Sequence, residues 1–243
     1  MEADQQIRIN KYLSEAGFCS RRAADKLLEE GRITINGKVP ELGTKVGPKD
    51  VVAVDGEPVG KPIQAHTYIA FNKPVGIVST TDTKGEKDNI IDYIAHAQRI
   101  FPIGRLDKDS EGLIFLTSEG DIVNKILRSK NNHEKEYIVT VDRPVNDEFV
   151  RLMGAGLPIL DTVTDPCKVE RISKFKFRII LTQGLNRQIR RMCDHLGFKV
   201  VQLKRIRIMN VHLDMPVGKW RDLTDKELAD INEMIADSSK TYD

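Results

Sequence analysis

A chain of 243 residues with 40% hydrophobic content can bury a sizeable core in one large domain or in a large and a small one, which excludes disorder over most of its length. Its 38 basic and 36 acidic side chains leave a net charge of only +2, so any nucleic-acid surface must come from local clustering. The scattered Cys19, Cys167 and Cys193 show no metal-ligand spacing, the Met1 to Arg8 segment is polar, and no run approaches the roughly 18 apolar residues of a membrane span, which predicts a cytosolic protein with no metal and no membrane partner.

The first 60 or so residues read as a small helical and strand unit. Ile9, Leu13 and Ala16 recur at helical spacing before Gly17. Ser20 is placed to cap a second helix carrying Ala23, Ala24, Leu27 and Leu28, which Gly31 ends. Ile33-Thr34-Ile35, the Asn36-Gly37 turn and Lys38-Val39 predict a hairpin, followed by a strand at Val51 to Val54 and a second turn at Asp55-Gly56.

Gly60 to His66 reads as a linker, because Gly60-Lys61-Pro62 breaks the periodicity. This predicts domains at 1–63 and 64–243. Downstream, strands are expected at Tyr68 to Phe71, Ile77 to Ser79, Leu113 to Thr117, Tyr137 to Val141, Phe175 to Leu181 and Lys199 to Leu203. Helices are expected at Ile122 to Leu127, Phe149 to Met153, Asn186 to Leu196 and Thr224 to Ile235, the last opening on a Thr224/Glu227 capping box. Strands and helices follow no strict alternation, which predicts an α+β fold with a mixed, mainly antiparallel sheet.

Arg21 and Arg22 directly follow the expected cap Ser20, at a helix end whose free N–H groups favour phosphate. Lys26 lies one turn on, and Arg8, Lys11 and Lys38 are near in sequence, so the six residues are candidates for one RNA-backbone surface. Charge alone fits a solvated helix face equally well. The order of Ile9-Asn10-Lys11-Tyr12-Leu13, Cys19-Ser20-Arg21-Arg22-Ala23-Ala24 and Gly31-Arg32-Ile33-Thr34-Ile35-Asn36-Gly37-Lys38 resembles the S4 RNA-binding module. That resemblance implies RNA contacts at Arg21, Arg22 and Lys26.

The densest functional signal is Gly104-Arg105-Leu106-Asp107-Lys108-Asp109-Ser110-Glu111-Gly112-Leu113, a polar loop bracketed by glycines between apolar runs. Such a loop bends sharply and exposes its acids, and most loops of this kind simply face solvent. Asp107 and Asp109 as a glycosidase acid and base is a poor pairing, the two carboxylates being expected to diverge in this loop. Arg105 is expected on the same side as Asp107.

Together with Asn72-Lys73-Pro74-Val75-Gly76, Lys135-Glu136-Tyr137 and Gln183-Gly184-Leu185-Asn186-Arg187-Gln188-Ile189-Arg190-Arg191-Met192, the Asp107 loop resembles the signature set of the RsuA-type pseudouridine synthases, over essentially the whole chain. The resemblance implies a cofactor-free isomerisation of a uridine in ribosomal RNA, most readily 23S rRNA, by a monomer. It implies that Asp107 is the catalytic acid, that Tyr137 stacks on the target base, and that Arg190 pairs with Asp107. Arg187 and Arg191, on the arginine face of the expected helix, are then candidates for backbone phosphate, joined by Lys204, Arg205 and Arg207. Attack of Asp107 at C1′, addition to the base and removal of a ribose proton all remain open as its role. The competing reading is a non-catalytic RNA-binding ribosome-assembly factor, or the same activity on small-subunit rRNA or tRNA.

Overall fold

The computed structural model describes residues 6–62, 65–128 and 131–238. Its contacts separate two units, Met1–Thr67 with Ala97–Arg99 and Ser118–Gly120, and Tyr68–His96 with Ile100–Thr117 and Asp121–Asp243. The boundary expected at Ile63 and Gln64 lies outside the described residues.

In the first unit β1 (Ile7–Arg8) runs into α1 (Ile9–Glu15), followed by α2 (Arg21–Glu29), β2 (Ile33–Ile35), β3 (Lys45–Val46), β4 (Val52–Val54) and β5 (Glu57–Pro58). Ser20 caps α2 by accepting from the Ala23 amide at 3.1 Å. Ile9, Leu13, Ala24, Leu28, Ile33, Val52 and Val54 form one core. The expected hairpin partner of β2 is corrected. The Asn36-Gly37 turn closes with a single Ile35–Lys38 bridge, and β2 pairs instead with β4, Ile33 opposite Val54. Val39 is exposed and Pro40 follows it, so that segment has neither an apolar face to bury nor a donor to extend the ladder.

The second unit contains β6 (Tyr68–Lys73), α3 (Ile90–Ile94), β7 (Phe101–Ile103), β8 (Glu111–Thr117), α4 (Gly120–Leu127), β9 (Lys135–Val141) and α5 (Asp147–Ala155). After these come β10 (Pro158–Ile159), β11 (Thr162–Val163), β12 (Lys168–Ser173), β13 (Lys176–Leu181), α6 (Gln188–His195), β14 (Val200–Ile208), β15 (Val211–His212), β16 (Trp220–Asp222) and α7 (Asp225–Met234). The main sheet has the order β12-β13-β9-β14-β8-β6-β16, with β7 added to β8 and β15 to β14. Only the β8–β14 pair is parallel among the described strands, so the α+β class with a mixed, mainly antiparallel sheet holds. The segment Ile77 to Ser79 forms no strand, only a bridge from Val78 to Asn89.

Alternation along β6 and β8 explains why the sheet is covered on both sides. Ile69, Phe71, Ile114 and Leu116 face a core shared with Phe149 and Met153 of α5 and Ile189, Met192 and Cys193 of α6. Ala70, Leu113 and Phe115 face a second core with Ile122 and Ile126 of α4, Ile231 of α7 and Ile235 just after it. The capping box that starts α7 is formed as expected. One edge of β8 is divided: Glu111 and Gly112 pair with β14, whereas Phe115 to Thr117 pair with β7.

Candidate active site

A cavity of about 410 Å³ is lined by Ile103 and Gly104 at the end of β7, Phe115 of β8, and Leu203, Arg205 and Ile208 of β14. The loop that leaves β7 supplies Arg105, Leu106, Asp107 and Ser110, and β9 supplies Lys135 and Tyr137. Gly104 has φ +78°, a left-handed turn in which a Cβ would lie 2.7 Å from a Leu127 methyl. Beyond it Leu106 is buried, with its N–H donating to Ser79 Oγ at 3.1 Å and its carbonyl accepting from the same hydroxyl at 2.8 Å. Anchoring Leu106 fixes the loop, and Arg105 and Asp107 line the cavity on either side of it.

A second brace comes from the segment after β6. Lys73 is fully buried, and its ammonium donates to the carbonyls of Pro74 and Ile77, both at 2.8 Å. This folds the segment so that the Gly76 amide donates to the Lys108 carbonyl at 2.7 Å. Burial pulls Lys73 down to about 8, against the opposing pull of Asp107 and Asp109.

The arginine assignment is corrected. Asp107 meets Arg187, whose Nη1 is 3.6 Å from its carboxylate, and Arg190 forms no ion pair with it. Arg190 instead donates to the Asp109 carbonyl at 2.9 Å and to Ser110 Oγ at 3.0 Å, with Nε 3.4 Å from the Asp109 carboxylate. The physical reason is local: α6 starts at Gln188, and Arg187 precedes it with φ 51°, so Arg187 leaves the helical phase that the sequence assigns to it. Gln188 is buried and supports this turn by accepting from the Leu185 amide at 3.0 Å. Arg191 turns back onto Asn186, donating to its carbonyl at 3.0 Å.

The expectation that Asp107 and Asp109 diverge also fails. A turn closed by the Ser110 amide on the Asp107 carbonyl at 3.0 Å brings both acids onto Arg187, which binds Asp109 through two hydrogen bonds of 3.1 and 3.0 Å. Those bonds hold the Asp109 carboxyl below the usual carboxylate range. Asp109 is thereby unsuited to act as a general acid, and a glycosidase pair remains excluded for this reason instead.

Tyr137 is buried at the cavity wall, with the Arg205 guanidinium carbon 5.9 Å from its ring centre. Arg205 and Arg207 are not the phosphate-facing residues that their clustering suggests. Arg205 is buried and donates to the Leu113 carbonyl at 2.6 Å, while Arg207 is paired with Glu136 at 2.7 Å and Glu134 at 2.9 Å. Lys204 sits 3.8 Å from Glu111. In the first unit Arg8, Arg21, Arg22, Lys26 and Lys38 are exposed, and Lys11 and Lys26 make side-chain pairs with Glu15 and Glu30.

Two site residues had no role in the sequence reading. Ser79 gives no signal, being one serine at the end of an apolar run. Lys135 was legible as a cation alternating with Tyr137 and Val139 on an otherwise apolar strand face.

The family model for RNA pseudouridylate synthase matches residues 67–195, and that for the S4 domain matches residues 7–52. The dual-specificity RNA pseudouridine synthase RluF of Escherichia coli O157:H7 is 59% identical over 98% of this chain and 83% of its own. Ribosomal large subunit pseudouridine synthase B of Bacillus subtilis is 35% identical over 91% and 93%. A crystal structure of a pseudouridylate synthase superposes with TM-score 0.67 at 28% identity, covering 94% of this chain and 99% of that one. The chain thus belongs to the RNA pseudouridylate synthase family, as a member that carries an S4 domain ahead of its synthase domain.

Proposed function

We propose that this enzyme isomerises a uridine of ribosomal RNA, most readily in the large subunit, with Asp107 as its catalytic carboxylate and Tyr137 stacked on the target base. The observation that carries the reading is the shared cavity: Asp107 is braced from behind by Leu106 and Ser79, and the same cavity is walled by the Tyr137 ring. The term "ribosomal large subunit" in the name of the Bacillus subtilis relative supports the choice of RNA, and "dual-specificity" in that of the Escherichia coli relative supports a second RNA substrate.

The base must leave its stack to reach Asp107, at a cost of a few kcal/mol that is smallest in a loop or bulge. Arg105, exposed at the cavity mouth, is placed to contact the strand from which the base departs. Arg187 places a guanidinium 3.6 Å from the Asp107 carboxylate. Arg8, Lys11, Arg21, Arg22, Lys26 and Lys38 hold RNA backbone, and Arg191 adds charge near the cavity. Domain limits at 1–63 and 64–243, a monomeric state and a cytosolic location belong to the same proposal. The three unbridged cysteines are compatible with a reducing compartment, and no helix among the described residues is long and apolar enough to cross a membrane.

Asp107→Asn is expected to fold and to bind RNA with unchanged affinity while making no pseudouridine. Carbodiimide-dependent primer-extension stops on RNA from cells lacking the protein provide the measurement. Turnover by this variant would sink the assignment.

A further inference from the structure

Two cations buried in the cavity wall have no carboxylate partner among the described residues. Lys135 is 7% exposed and donates to the carbonyls of Thr182 at 3.1 Å and His133 at 3.4 Å. Arg205 is 4% exposed, and its Nη2 is buried without a hydrogen-bond partner. Among the described residues no carboxylate pairs with either. Glu136, between Lys135 and Tyr137 in sequence, lies on the other face of β9 and is taken by Arg207 and Arg178. A buried charge without a counter-ion is costly to fold. It is retained to advantage where the reaction itself brings the anion.

The isomerisation supplies one. When the bond between C1′ and N1 breaks, its electron pair stays with the base, and uracil separates as an anion with charge spread over N1, O2 and O4. Resting on the cavity reading above, we propose that Lys135 is a further catalytic residue, whose ammonium donates a hydrogen bond to the detached uracil anion beside the Arg205 guanidinium. The lysine keeps its proton in this step. The pair returns to the sugar when C5 bonds to C1′, the C5 proton is lost to a base or solvent, and N1 takes one up, so the isomerisation balances. Tyr137, two residues on along the same strand face, holds the ring plane while charge moves to its edge.

The charge state of Lys135 gives the proposal a separate readout. Burial, with Arg205 adding to it, pushes the lysine down to about 8. The groups that face it are Arg205 from β14 and the imidazole of His133, itself lowered by burial and by Lys135. β13 contributes the uncharged Leu181, with Thr182 directly after it, and Asp107, Arg187 and Arg190 line the same cavity.

The test uses the full chain and total RNA from cells lacking it, in which the target uridine is present whichever RNA carries it. Single-turnover rate and RNA affinity are measured from pH 6 to 9.5 for the wild type, Lys135→Met and Lys135→Arg. Removing one preorganised donor to a developing anion costs about 100-fold or more in rate, so Lys135→Met is expected to lose that much with unchanged RNA affinity. The wild-type rate should fall as pH rises through about 8. Lys135→Arg should recover most of the rate and carry that fall to higher pH. Full activity of Lys135→Met, or an alkaline fall that stays in place in Lys135→Arg, would overturn the proposal. The wild-type and Arg profiles decide it even if the Met variant does not fold. Activity retained by Asp107→Asn would mark failure of the cavity reading on which this proposal rests, whereas full activity of Lys135→Met beside an inactive Asp107→Asn would overturn this proposal alone.

Discussion

At the scale of single residues, the site is organised by what each charge is given to balance. Asp109 is committed to Arg187 and serves as a strut, which frees one side of the Asp107 carboxylate for the cavity. Lys73 is the clearest case of a charge kept at a cost. Its ammonium is fully buried and bonded to two carbonyls, and burial brings it down to about 8 from an unfolded value of 10.5. Between these values the unfolded chain binds more protons than the folded one, so this residue's contribution favours folding increasingly as pH rises, and that gain is lost as pH falls through 8. Lys73→Met removes the titration. Wild-type stability relative to this variant should therefore increase between pH 7.5 and 10, by on the order of 2 kcal/mol. Urea unfolding of both chains across that range measures the difference, and a constant gap would show that Lys73 does not titrate on folding.

At the scale of elements, the parallel contact between β8 and β14 positions the cavity. Gly112 has φ +112°, and a Cβ there would stand 2.2 Å from the Arg205 carbonyl oxygen, a backbone atom held by the ladder. Gly112→Ala must push β8, which continues from the Asp107 loop, away from β14, which carries Arg205, with a stability loss of roughly 3 kcal/mol expected from strain and lost pairing. Reduced thermal stability together with lost activity is the expected result; wild-type values for both would show that the strands yield without effect. This contact also marks a limit of what the sequence discloses. Alternating or apolar runs announced β6, β8, β9 and β13, and capping residues announced α2 and α7, because those signals are local. The two glycines of the Asp107 loop were legible as bends, but the close approach that requires Gly112 joins residues 93 positions apart. The same applies to Arg187. Its left-handed backbone is set by the loop supported by Gln188, and an ordinary arginine gives no notice of it.

At the scale of the whole molecule, a net charge of +2 concealed how unevenly the cations are employed. In the synthase unit the arginines of β14, of α6 and of the turn before α6 are largely spent on internal carboxylates and carbonyls. Arg22 and Lys38 of the first unit, by contrast, are exposed and take part in none of the ion pairs among the described residues. If the S4 domain supplies backbone contacts while the cavity supplies chemistry, the two contributions separate by salt. Each phosphate contact removed lowers the slope of log affinity against log salt by about 0.7 to 0.9. Arg22→Ala with Lys38→Ala should therefore flatten that slope by roughly 1.5 and weaken RNA binding at low salt. The single-turnover rate at saturating RNA should stay at the wild-type level, since neither residue belongs to the cavity. Filter binding across a salt series and rapid-quench turnover give the two numbers. An unchanged slope would place the backbone contacts on other residues, and a reduced saturating rate would mean that the S4 domain also helps to assemble the reacting geometry.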